Sequence, residues 1–342
     1  MSELSFSPIV RAPIEERVLN EQYFRRNTKV QKVSVGYLMA AGGLGDYIGY
    51  LSAIEWLART QPQLNGTVYT ADFFIPIASN VLSAYPKWKV VPRSELTDEK
   101  IKAEPLCMPN RFITRIGSNA VDLGFIYYAY LNPAPPDGWY YTKLDLRSVL
   151  IDDELVPKQP YAVMTPYSTK PNRAMTVKAF NGIKNHLISK GVTPAFVGRK
   201  EFADGRPAVE AQEGYDFSGG IDLTEKTTLL EAAKIMSHAK MVIGIDNGLT
   251  HLAAMTEVPI ILGFTIASPK DAEPRRKSER IYRIYPDRSS LPCTFCQSRM
   301  RFFIKHDFGT CLYKDNLCTE VIGVPDDWNA LIDKCLKDTN AE

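Results

Sequence analysis

Residues Met241–Phe264 read MVIGIDNGLTHLAAMTEVPIILGF. Two apolar runs of strand length, Met241–Ile245 and Pro259–Phe264, enclose Asp246, Asn247, Gly248, Thr250 and His251. Short apolar runs bounded by turn residues mark buried strands, and Leu249–Thr256 has the make-up of a short helix between them. Strand, helix and strand in that order form a parallel unit. The polar junction admits two readings. In one, Asp246 or Asn247 caps the helix and His251 is a surface residue. In the other, the helix start receives a phosphate. The amides of Gly248, Leu249 and Thr250 then point outward, Gly248 lets an anion approach the backbone, and His251 donates to it.

The same alternation runs through the chain. Val33–Ala40 reads as a strand, followed by a glycine-rich AGGLG and a helix over Asp46–Thr60 with Ile48, Leu51, Ile54, Leu57 and Ala58 on one face. Strand-like GTVYTA, helix-like FIPIASNVLSAYP and strand-like KVV come next. Proline and acids break the pattern over Asn132–Gln159, the expected linker. Beyond it the reading gives strands at Tyr161–Pro166, Pro194–Gly198 and Arg280–Tyr285, and helices at Val177–Lys190 and Thr227–His238. VPDDWNALIDKCLKD makes an amphipathic closing helix. The expectation is an α/β chain of two Rossmann-like domains facing a central cleft. A first domain with linker spans 1–155, a second domain 156–320, and a C-terminal helix 321–342. Ligands in such sheets sit beyond the carboxyl ends of the strands.

A hydrophobic content of 45% and a charged content of 23% suit a soluble globular protein with a proper core. A formal charge of +2 excludes a histone-like coat for DNA. The N-terminus lacks the apolar centre of a signal peptide, and no apolar run approaches the roughly 18 residues of a membrane span. Four of the six cysteines fall within Cys293–Cys318, unlike a disulfide scaffold. A cytoplasmic location is expected.

From Phe217 onward, the spacing of Gly244, Asp246, Gly248, His251, Ala253, Ala254 and Pro259 resembles the heptosyltransferase-like glycosyltransferases, family 9, of GT-B fold. Asn247 stands where that family has Ser or Thr. The resemblance places Arg173 where the family has a phosphate-facing lysine, with Lys170 as a rival and Phe180 at the following aromatic. The family's tryptophan and proline are absent there. It also offers Gly198 and Glu201 for the donor nucleoside. Near the N-terminus Gly43, Leu44 and Gly45 form the acceptor loop, and Asp46 stands where the family's aspartate takes a proton from the acceptor hydroxyl. Read without the resemblance, Asp46 is an acid at a helix start.

What this implies is an inverting transfer from a nucleotide-diphosphate sugar, with no essential cofactor or metal. The diphosphate would lie on Asp246–His251 and Arg173, and Asp46 would activate the acceptor. A C-x2-C pair at Cys293 and Cys296, with Cys311 and Cys318, could bind one structural zinc; packing is the other reading. Arg275, Arg276, Lys277, Arg280, Arg283, Arg288, Arg299, Arg301 and Lys305 alternate with Tyr282, Tyr285, Phe302 and Phe303. They form either a solvated face or a track for an anionic acceptor, lipopolysaccharide core or DNA with a hydroxylated base. Other classes kept open are a sugar-nucleotide epimerase and a non-catalytic sugar-nucleotide-binding protein. Oligomeric state is not legible.

Overall fold

The computed structural model of the protein describes residues 32–36, 43–60, 62–63, 65–97, 99–100, 106–107, 140–199, 214–287, 291, 293–296, 311 and 316–340. Its strands form two parallel sheets. The first contains β1 (Lys32–Gly36), β2 (Asn65–Thr70), β3 (Trp88–Pro92) and β4 (Leu106–Cys107) in the order β3-β2-β1-β4. Helices α1 (Leu44–Thr60) and α2 (Ile75–Leu82) belong to this half.

Among the described residues, the second sheet has six strands in the order β10-β9-β8-β5-β6-β7. They are β5 (Tyr161–Thr165), β6 (Thr193–Phe196), β7 (Ile221–Asp222), β8 (Val242–Ile245), β9 (Ile260–Gly263) and β10 (Ile281–Ile284). Helices α3 (Val177–Ser189), α4 (Leu229–His238), α5 (Gly248–Ala254) and α6 (Pro269–Ala272) alternate with them. Helices α7 (Leu317–Val321) and α8 (Pro325–Asn340) close the chain. The apolar runs quoted at the outset become β8 and β9, buried along their whole length and paired from Val242 with Ile260. Burial on both faces is what a parallel sheet covered by helices demands.

Both sheets change direction near a site-bearing loop. From β5 the chain adds β6 and β7 on one side, then β8, β9 and β10 on the other, so the switch lies between β5 and β8. In the first sheet it lies between β1 and β4. Loops beyond such points diverge and leave a crevice. The start of α1 follows β1, and the start of α5 follows β8.

Helix ends are set locally. Thr228 and Glu231 form a reciprocal capping box on α4, and Thr176 accepts the Ala179 amide at the start of α3. On α1, Tyr47, Ile48, Leu51, Ile54 and Ala58 are buried in a core cluster that also contains Leu252 and Ala253 of α5. The halves therefore share apolar packing. Residues 140–160 carry no helix or strand and run along the second half, where the Leu144 amide donates to the Met255 carbonyl at 3.0 Å. Among the described residues, no helix is long and apolar enough to cross a membrane.

Trp328 of α8 is fully buried, and its indole N–H donates to the Ile322 carbonyl at 2.6 Å. Gly263 leaves room for it: a Cβ there would meet the indole at 2.8 Å. Trp328→Ala should lower unfolding stability by about 3–5 kcal/mol, through lost burial and the cavity left behind. Urea unfolding at neutral pH measures this, and a change near zero would show that α8 does not brace the second sheet.

Candidate active site

Asn247 takes up most of the helix start that the sequence offered to an anion. Its Oδ1 accepts the Leu249 and Thr250 amides, each at 3.0 Å, and its Nδ2 donates to the Thr165 carbonyl at 2.8 Å. The expectation that the amides of Gly248, Leu249 and Thr250 all point outward is corrected. Leu249 and Thr250 use theirs on the cap, and only the Gly248 amide has no partner among the described residues. Thr250 is fully buried and its hydroxyl donates to the Ile245 carbonyl at 3.1 Å, so it is scaffold rather than ligand contact.

Gly248 has a different reason to be glycine. A Cβ on it would lie 2.5 Å from Leu44 Cβ and 3.1 Å from the Gly45 nitrogen. A Cβ on Gly45 would lie 2.8 Å from His251 Cδ2 and 3.2 Å from its Nε2. The starts of α1 and α5 thus touch backbone to backbone, and the missing side chains permit it. Leu44 and Gly45 are brought to Gly248 and His251 although some two hundred positions separate them in sequence. Asp46 is exposed one residue beyond this contact, and its Oδ2 accepts the Gly43 amide at 3.0 Å.

Asp246 sits at the end of β8, only 8% exposed. Arg173 Nη1 is 3.4 Å from Asp246 Oδ2 and donates to its backbone carbonyl at 3.4 Å. His251 Nε2 is 3.8 Å from Asp246 Oδ1. Burial would raise this carboxyl, but Arg173, His251 and Lys170 together hold it below the ordinary carboxylate range. An opposite charge near 4 Å contributes about 4 kcal/mol at an effective dielectric of about 20, enough to oppose the desolvation. A buried anion repels a diphosphate, so Asp246 is not itself a phosphate ligand. It orients Arg173 and His251.

The Arg173 loop is tied down by backbone contacts. The Asn172 carbonyl accepts the Thr265 hydroxyl at 2.6 Å and lies 3.9 Å from Cys318 Sγ. Gly198 follows β6 and faces the Tyr167 ring, where a Cβ would meet Cδ2 at 2.4 Å. Glu201 lies outside the described residues. Phe180 is fully buried and stacks on Tyr215 at 4.2 Å.

Sequence reasoning missed Tyr141. Its hydroxyl is 2.6 Å from His251 Nδ1. The only signal was the aromatic GWYYT in a proline-rich stretch, where an aromatic group suggests an anchor.

Cys293, Cys296, Cys311 and Cys318 lie close enough to act on one another. Burial first, then Cys296, Cys311 and Cys293, push the Cys318 thiol up to about 12. Four soft donors suit a thiolate-binding metal. The spacing does not yet match one: among the described residues, no group of three or more His, Cys, Asp or Glu could hold a metal ion. The zinc expectation finds no support in this arrangement.

Much of the basic stretch is structural. Arg276 donates to the carbonyls of Val258 at 2.6 Å and Arg280 at 2.8 Å, while Arg280 reaches the Glu257 carbonyl at 2.9 Å. Arg283 pairs with Glu273, and the Tyr282 hydroxyl donates to Asp338 at 2.6 Å. Arg288, Arg299, Arg301, Phe302, Phe303 and Lys305 lie outside the described residues.

The family model for glycosyltransferase family 9 (heptosyltransferase) matches residues 119–302, more than half of the chain. The chain belongs to that family. The matched span contains Arg173 and Asp246–His251, while Asp46 precedes it. No curated protein sequence matches the chain. Among solved structures, the dodecameric iron-containing heptosyltransferase TibC of enterotoxigenic E. coli H10407, in complex with ADP-D-beta-D-heptose, has a TM-score of 0.65 at 18% identity. The match covers 90% of this chain and 76% of that one. The family 9 glycosyltransferase of Veillonella parvula DSM 2008 gives 0.58 at 15% identity, over 90% and 97%. The E. coli ADP-heptose LPS heptosyltransferase II gives 0.54 at 13%, over 89% and 99%. At these identities the likeness establishes the fold, which is GT-B.

Asp246 makes stability depend on pH. Its folded value lies below the ordinary one of about 3.9, so its contribution is complete above that pH and is lost as pH falls through the folded value. Asp246→Asn should therefore flatten the acid limb below about pH 4. It should also cost about 3 kcal/mol at neutral pH, because Arg173 loses its buried partner. Thermal melts from pH 2 to 8 test both, and parallel acid limbs would reject the assignment.

Proposed function

We propose that this family 9 protein is an inverting glycosyltransferase that moves a sugar from a nucleotide-diphosphate sugar, of the ADP-heptose kind, to a hydroxyl of a glycan acceptor. The reading is supported by one observation: the Gly45–Gly248 contact sets Gly45, the sequence neighbour of Asp46, against His251 of the Arg173–Asp246–His251 cluster. The donor diphosphate meets the Gly248 amide, Arg173 and His251. Asp46 takes the proton of the acceptor hydroxyl, whose oxygen attacks the anomeric carbon opposite the leaving group. Charge accumulates on the departing diphosphate, where donors already in place stabilise it. A single base and a single displacement give inversion. Transfer needs no added magnesium or manganese.

Residues 1–155 form the acceptor side and 156–320 the donor side, with 321–342 as a terminal helix. The irregular segment 140–160 supports that division. DNA as acceptor is the weaker reading, because Arg276, Arg280 and Arg283 are committed to internal partners. Gly198 and the neighbouring Glu201 remain the candidates for holding the nucleoside.

A nucleotide-sugar screen by thermal shift identifies the donor, since a ligand at a hundredfold its Kd stabilises by about 2.7 kcal/mol. Asp46→Asn should keep that shift while transfer falls by about a hundredfold or more. Unchanged transfer would remove Asp46 from its role. No shift with any nucleoside diphosphate or its sugar would remove the donor site.

The four-cysteine cluster carries a separate proposal. TibC is described as iron-containing, and the sulfur donors of Cys293, Cys296, Cys311 and Cys318 suit iron as well as zinc. Elemental analysis of the purified chain tests this: about one iron per chain would assign the cluster to iron, although the described residues offer no group of three or more ligands that could hold a metal ion. A stable, metal-free protein would leave the cluster as packing.

A further inference from the structure

Tyr141 lies in the irregular segment between the sheets, yet it is only 8% exposed. Its amide donates to the Arg275 carbonyl at 2.8 Å, and Lys143 nearby pairs with Glu257 at 3.3 Å. These contacts fix the segment against the second half and aim the tyrosine at His251. The rings stand 5.8 Å apart at 43°, with the hydroxyl 2.6 Å from Nδ1.

For the neutral imidazole, the other ring nitrogen decides which partner donates. Nε2 lies 3.8 Å from Asp246 Oδ1. Asp246 is held ionised by Arg173, and a lone pair directed at a carboxylate is repelled where an N–H is attracted. The proton of the neutral imidazole therefore belongs on Nε2. Nδ1 is left as an acceptor, and the tyrosine hydroxyl has to donate to it. On its remaining edge the ring abuts Gly45 of the first half. Three segments thus meet on one imidazole.

We propose that Tyr141 is a positioning residue for sugar transfer: its hydroxyl fixes His251 as the Nε2–H tautomer and holds the ring between Asp246 and Gly45. At 3.8 Å the Nε2–H is too far from Asp246 for a hydrogen bond, so it is still available to a departing diphosphate, where the other tautomer would present a lone pair that repels it. This role in transfer rests on the glycosyltransferase reading. The tautomer itself does not.

The test combines ring-nitrogen NMR and kinetics on the full chain. The sequence has four histidines, and the signal absent from His251→Gln identifies His251. The expected wild-type spectrum shows the proton on Nε2. Tyr141→Phe keeps the ring and removes only the hydroxyl. It should shift the His251 signals towards a tautomer mixture and leave the thermal midpoint close to wild type. It should also lower kcat about tenfold with a smaller change in KM for the nucleotide sugar, the loss of one aligned hydrogen bond. A wild-type His251 protonated on Nδ1, or signals that ignore Tyr141→Phe, would overturn the proposal. Absence of transfer by the wild-type chain with every donor would instead sink the glycosyltransferase reading, and with it the part Tyr141 plays in transfer. The nitrogen spectrum still scores the tautomer, so the two failures are distinguishable.

Discussion

The starts of α1 and α5 are pressed together where neither Gly45 nor Gly248 can carry a side chain. A methyl group on Gly248 would fall 2.5 Å from Leu44 Cβ, closer than carbon atoms pack without displacement. Several features depend on this contact. It joins the switch-point loops of two sheets, allows the apolar face of α1 to share a core with α5, and sets Gly45 against the His251 ring. Two glycines that look like independent flexible turns are the two sides of one close approach.

Around that contact, Asp246 organises charge without offering it to a ligand. It lies between Arg173 and His251, and the arginine is held twice, by the carboxylate and by the backbone carbonyl of the same residue. Preorganised cations and dipoles stabilise developing charge because they need not reorient during reaction. The cost is a buried carboxylate, tolerable only with its partners in place. Asn247 performs the equivalent task for the backbone. By capping α5 and bonding back to β5, it ties the two strands that flank the crevice.

Much of the fold was legible because its strands are buried on both faces and so read as unbroken apolar runs. Strand and helix alternation gave the parallel sheets but not their strand order, and Gly45 and Gly248 stood out as flexible turns, not as two sides of one contact. What escaped was partner choice. The sequence shows that Asn247 stands at a helix start, but not that its side chain takes up two amides otherwise offered to an anion. It shows Arg276 and Arg280 as charges, but not that carbonyls of Thr256–Val258 draw them inward. Tyr141 was beyond reach for the same reason: its partner is 110 positions away, in an element with a different period.

The cysteine cluster belongs to the same architecture. Phe295, between Cys293 and Cys296, donates its amide to the Thr265 carbonyl at 3.2 Å, and the Thr265 hydroxyl donates to the Asn172 carbonyl. Cys318 approaches that carbonyl from the other side. A short path of backbone contacts therefore leads from the sulfur cluster to the loop that carries Arg173. Irregular loops beyond strand ends have few intrinsic constraints, so precision at Arg173 has to come from packing behind it. Cys318 and Thr265 supply part of that packing through the Asn172 carbonyl.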